Sequence, residues 1–199
     1  MEKPAETQYP IHELLRRRWS PRVYAERLVE AGKLRSLFEA ARWAPSCFNA
    51  QPSRFLLATK ETPVEYTRLL DCLVEGNKKW AHHAPVLVLS VAKRAFDDGS
   101  PNRHAWHDVG LAVENLVIQA TALGLVVHQM AGFDVEKARA DLKIPEGFEP
   151  VAMIAVGYPG DPSMLPDKLY QRELSPRTRK PIAEFVFAGE WDKPSPLVS

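Results

Sequence analysis

Apolar residues at Ile11, Leu14 and Leu15 fall at helical spacing, with Arg16 and Arg17 just after them. Cations suit the negative end of a helix, so the pattern predicts a first helix ending near Arg17. Leu34, Leu37, Phe38 and Ala41 repeat at i, i+3, i+4 and i+7, and predict a second helix that Pro45 stops just beyond Ala44. A short strand follows over 54–58, then a helix over 65–74 with Tyr66, Leu69, Leu70 and Leu73 inward. Residues 85–91 are nearly all Val and Leu, the signature of a strand buried on both faces. The clearest helix spans 102–123, with Val109, Ala112, Val113, Leu116, Val117, Ala120 and Leu123 on one stripe. Its opposite side carries Leu111, Ile118 and Ala122. A helix apolar on two sides either runs through a large core or packs on a second subunit. This chain is too short to surround it generously, so a dimer is expected. Strands over 125–130 and 151–156 follow, separated by a short helix that Asp134 caps and that runs to Leu142, and one more strand is expected at 185–187. The segment beyond Gly157 is rich in Pro and charge yet holds Phe185, Phe187 and Trp191, aromatics that a disordered tail lacks, so it needs a surface to wrap.

Composition narrows the class. The chain has 199 residues and 45% hydrophobic content, enough to bury a sizeable core; without repeats or low-complexity tracts it reads as a single domain over 1–199. No apolar run approaches the roughly 20 residues that span a bilayer, and residues 1–10 are polar, so no membrane partner and a cytoplasmic location are expected. Cys47 and Cys72 stand far apart and read as free thiols. The net charge of +1 carries no footprint for nucleic acid. Two arginine clusters stand out locally: Arg16, Arg17, Arg18 and Arg22 near the start, and Arg172, Arg177, Arg179 and Lys180 near the end. Such runs are usually solvated surface, but guanidinium groups from both could also converge on one phosphate.

The run Ala44-Pro45-Ser46-Cys47-Phe48-Asn49-Ala50-Gln51-Pro52 excludes continuous helix or central strand, because each proline lacks an N–H and drives its predecessor towards extended geometry. Ser46, Asn49 and Gln51 offer donors and acceptors suited to the edge of a planar heterocycle; an ordinary polar connection fits the same residues. No Gly-x-Gly-x-x-Gly follows a strand, and neither a phosphate-binding Gly-x-x-x-x-Gly-Lys nor a Gly-x-Ser-x-Gly elbow occurs. His104, His107 and Asp108 allow a metal-site reading, but they lack an evident third protein ligand and equally suit the first turn of a helix. No metal is therefore assigned.

Six segments in order resemble the nitroreductase family across essentially the whole chain. They are Arg18-Trp19-Ser20-Pro21-Arg22, the Ala44–Pro52 loop above, Asn77 seven residues before Ala84-Pro85, His107-Asp108-Val109-Gly110-Leu111-Ala112, Ala131-Gly132-Phe133-Asp134 and Arg179-Lys180-Pro181. The resemblance implies an α+β fold, a central mostly antiparallel sheet flanked by helices, and an intertwined homodimer with an exchanged C-terminal arm. It implies FMN as cofactor, NADH or NADPH as electron donor, and a small oxidant as second substrate, with the chemistry borne by the flavin and no catalytic side chain. Arg18, Trp19, Ser20 and Arg22 would hold the phosphate and ribityl chain, and Arg177 and Arg179 would close on the phosphate. Pro45, Ser46, Cys47 and Asn49 would reach the flavin from the other subunit. Asn77 would stand near its pyrimidine edge, and Gln129, Met130, Ala131 and Gly132 beside the ring. Three positions depart from the common pattern: Trp19, Ser53 and Trp80. Trp80, Trp106 and Phe133 are candidate pocket walls, with core packing as the competing role.

Overall fold

A computed structural model describes residues 2–198. Its helices are α1 (Glu13–Arg17), α2 (Ala31–Arg42), α3 (Pro63–Asp71), α4 (Glu75–Ala81), α5 (Ala105–Ala122), α6 (Val135–Asp141) and α7 (Asp167–Leu174). Four strands, β1 (Ser53–Thr59), β2 (Val86–Lys93), β3 (Val126–Met130) and β4 (Phe148–Gly157), form one sheet in the order β1-β2-β4-β3, with every pairing antiparallel. The α+β architecture expected from the sequence is the one observed.

β2 shows why the 85–91 run carries no alternation of polarity. Val86 through Ala92 are all buried, and successive residues point to opposite faces of the sheet. Leu87, Leu89 and Val91 join a core with Tyr66 and Leu69 of α3, Trp80 of α4 and Ala138 of α6. Val86, Val88 and Ala92 join a second core with Leu37 and Ala41 of α2 and the Val109–Ala120 stripe of α5. The sheet is thus sandwiched between two helical layers. Leu111 and Ile118, on the other side of α5, are half-buried within this one chain, while Ala122 is exposed.

β4 begins at Phe148, upstream of the expected start, and contains Pro150. The pairing shifts there: Ser90 faces Ala152 but Val91 faces Pro150, leaving Val151 as the extra residue. A residue without an N–H is tolerated at such a bulge. α3 starts two residues early because Pro63 suits the first helical turn, and it ends early because Leu73 and Val74 turn aside to pair with Phe133 and Gly132. The expected strand at 185–187 is absent as a strand; Phe187 makes only an isolated bridge to Pro194.

After Pro21 the chain runs against the end of β4. Ala25 N–H donates to Tyr158 O at 3.0 Å and Gly160 N–H to Val23 O at 3.2 Å. A Cβ on Gly160 would lie 2.6 Å from Tyr24 C, 2.7 Å from its O and 2.9 Å from its N, all backbone atoms that cannot swing aside. Gly160→Ala is expected to cost about 1–3 kcal/mol in urea unfolding. A loss under about 0.5 kcal/mol, the scatter of ordinary surface changes, would show that this crossing can open without penalty.

Candidate functional site

The two arginine clusters meet. Arg18, Arg177 and Arg179 line one open cleft of about 680 Å³, together with Tyr9, Ile11 and Phe185. None of the three guanidinium groups forms an ion pair among the described residues. Arg18 Nη1 donates to Ser20 Oγ at 3.3 Å, and Arg177 Nη1 donates to Lys3 O at 2.6 Å and Arg16 O at 3.0 Å. Among the described residues, Arg179 Nη1 donates to Thr178 O at 2.7 Å. Burial, and then the charges of Arg18 and Arg179, push the Arg177 guanidinium down from its usual range. Such crowding of like charge is unfavourable in the free chain and is relieved by an anion.

The ends of the chain are joined behind this cleft by Glu173, which is fully buried. Its Oε1 accepts the Arg22 backbone N–H at 2.7 Å, and its Oε2 lies 3.4 Å from Arg22 Nη1. Lys3 Nζ donates to Glu173 O at 2.6 Å and stands 5.0 Å over the Trp19 ring. Arg22 therefore commits one guanidinium nitrogen inward.

A second group gathers where β3 ends. Asn77 Nδ2 donates to Gly132 O at 3.0 Å, and Val74 N–H donates to the same oxygen at 3.1 Å. A Cβ at position 132 would lie 2.7 Å from Asn77 Nδ2, so a side chain there would displace the Asn77 amide. The Gly132 N–H has no protein acceptor among the described residues. Gln129 and Ala131 are exposed, whereas Met130 is buried in the core that also holds Trp80 and Phe133. His128 ties the two groups together: its Nδ1 stands 2.9 Å from Pro21 O. Burial lowers the imidazole to about 4; the Pro21 carbonyl opposes this and the Arg22 charge adds to it, so the ring is neutral at neutral pH.

The Pro45–Asn49 loop stands elsewhere. Pro45 and Ser46 line a cleft of about 270 Å³ with Phe38, Phe55, Asp108 and Ala112, and this cleft shares no lining residue with the arginine cleft. Phe48, Asn49 and Gln51 have φ of 50°, 55° and 47°, a left-handed conformation that is strained for Phe. Phe48 is 92% exposed, so packing does not offset the strain. Hydrogen bonds hold the shape instead. Cys47 N–H donates to Asp108 Oδ2 at 3.1 Å, Asn49 N–H to Ser46 O at 3.0 Å, and Gln51 N–H to Ser46 Oγ at 3.0 Å.

Asp108 thus serves the loop. His104 and His107 are exposed, and among the described residues no group of three or more His, Cys, Asp or Glu is placed to hold a metal ion. Trp80 and Phe133 are core residues, Trp80 lying between Tyr24 and His128; only Trp106 of the three candidate walls is exposed. Sequence reasoning missed the structural parts played by Glu173 and His128. Glu173 sits in a charged run without periodicity. His128 could have been noticed as the one titratable residue inside β3.

With this geometry in place, the chain matches the Nitroreductase family over residues 15–74 and 64–158. It is 36% identical over 129 residues to an uncharacterized 15.4 kDa protein of Mycolicibacterium smegmatis, covering 65% of this chain and 86% of that one. A Stenotrophomonas maltophilia protein, provisionally named an NADH dehydrogenase/NAD(P)H nitroreductase, is 26% identical over 174 residues, covering 78% of this chain and 87% of its own. Among solved structures, an oxidoreductase containing FMN superposes with a TM-score of 0.88 at 35% identity, over 94% of this chain and 95% of that one. The chain belongs to the nitroreductase family.

Proposed function

We propose that the protein is an FMN-dependent oxidoreductase that carries two electrons from NADH or NADPH to a small oxidant such as a nitroaromatic, a quinone or an activated alkene. One observation carries this reading. Arg18, Arg177 and Arg179, from opposite ends of the chain, converge in one cleft with no carboxylate partner among the described residues, and a phosphate monoester is the anion their forked donors suit. The FMN in the solved relative supports the same ligand.

The remaining donors fit such a cofactor. Ser20 adds a hydroxyl beside Arg18 for the phosphate or ribityl chain. Asn77 spends its amide N–H on Gly132 and keeps Oδ1 as an acceptor for an imide N–H of the ring, and the Gly132 N–H is a donor for a ring nitrogen. Gln129, Met130 and Ala131 flank it through backbone and exposed surface, and Trp19 and Arg22 frame the phosphate end. When bound, FMN supplies a two-electron carrier that reduced nicotinamide loads and the oxidant unloads, so no side-chain nucleophile is required. The chain's own work is to fix the ring and to surround it with positive charge and oriented amides.

Pro45 and Ser46 line the other cleft of this chain and Cys47 and Asn49 follow them in the same loop, and in the proposed homodimer the four serve the flavin of the partner. Phe185, Trp191 and Leu197 are 60%, 84% and 92% exposed, which fits a C-terminal arm that lies on a second copy.

Purified protein is expected to be yellow, or to turn yellow with added FMN, and to oxidise NADH or NADPH steadily when a quinone or nitrofuran is present, with parallel double-reciprocal plots. A colourless protein that takes up no supplied FMN rejects the cofactor. Flavin-loaded protein that oxidises neither nicotinamide rejects the activity.

A further inference from the structure

Pro21 O and Arg22 N–H belong to one peptide unit, and side chains from two distant elements, the half-buried His128 and the fully buried Glu173, hold both of its polar ends. His128 of β3 stands 2.9 Å from the oxygen, with Tyr24 Oη at 3.5 Å, and Glu173 of α7 accepts the N–H at 2.7 Å. A carbonyl oxygen only accepts, so His128 Nδ1 carries the proton. Because the peptide is planar, fixing its oxygen and its N–H fixes the whole unit. The Pro21 ring sets its own φ and confines Ser20 to extended geometry. Few torsions then remain free between Arg22 and Arg18, whose guanidinium bonds Ser20.

Imidazole and carboxylate are costly to bury, and an apolar side chain would fill either position more cheaply. Both instead converge on the segment that carries Arg18 and Ser20. Glu173 also stands four residues before Arg177, so the same carboxylate registers the C-terminal arginines against the N-terminal one. We infer that His128 and Glu173 are positioning residues for phosphate recognition, holding Arg18 and Ser20 at a fixed spacing from Arg177 and Arg179. This assignment rests on FMN being the ligand.

The test compares binding of FMN and of riboflavin, which lacks the phosphate, by quenching of flavin fluorescence. His128→Leu removes the donor; His128→Asn keeps an amide N–H close to the place of Nδ1. The leucine variant is expected to lose at least tenfold in FMN affinity with riboflavin affinity unchanged within twofold, and the asparagine variant to recover the wild-type ratio. If His128→Leu does not fold, His128→Gln, which carries its amide beyond the carbonyl, is expected to show the same selective loss. Equal loss for both flavins, no loss, or failure of asparagine to rescue would overturn the assignment. Wild-type protein that binds neither flavin would instead reject the cofactor itself, a different outcome read in the same titration.

Discussion

Glu173→Ala is expected to lower the free energy of unfolding by about 3–5 kcal/mol, because removing one member of a buried pair strands the other. The carboxylate is fully buried, while the Arg22 side chain keeps 26% of its exposure. Glu173 is also the only fully buried residue of α7, which otherwise meets the core through the half-buried Leu169 and Tyr170. The substitution leaves the Arg22 backbone N–H without its acceptor, and only part of the loss should return when Arg22→Met is added. That change removes the stranded guanidinium but not the unpaired amide, for which about 1–3 kcal/mol should persist. Urea titrations of the wild type, both single variants and the double variant read each quantity. A single-variant loss below about 1 kcal/mol would mean that the buried carboxylate is not what fastens the two chain ends.

The double variant Arg18→Ala, Arg179→Ala is expected to weaken FMN binding by about 10²–10⁴-fold. Each hydrogen bond to a charged group contributes about 1.5–3 kcal/mol, and each 1.4 kcal/mol is a factor of ten. These two residues are the clean choice. Neither guanidinium bonds the opposite end of the chain among the described residues, whereas Arg177 also holds Lys3 O and Arg16 O, so its removal would mix stability with affinity. The residual affinity should vary less with salt than that of the wild type, since fewer counter-charges meet in the cleft. An FMN dissociation constant within fivefold of the wild type would place the phosphate elsewhere.

Hydrophobic spacing made α2, α5 and all four strands legible because each packs an apolar stripe or face, and the Asp134 cap made α6 legible. α4 and α7 were not, for a physical reason. α4 buries only Trp80 and Ala81, too few positions to establish a period, and α7 buries a single carboxylate. Bridging also hid from the pattern: Leu73 looks like the next turn of α3 but pairs with Phe133. The arginines of the candidate site were visible as two clusters at opposite ends, and their meeting in one cleft needed the fold. The left-handed backbone at Phe48 had no sequence signal, since neither Phe nor its neighbours demand that conformation.

The two cores draw alternate residues from the same stretch of β2, which makes its length a strict quantity. Slipping that strand by one residue would hand Leu87 and Leu89 to α5 and push Val86 and Val88 against α3, so both layers would be mispacked at once. Exposed helix faces can therefore change without disturbing either core, while the central ribbon must keep count.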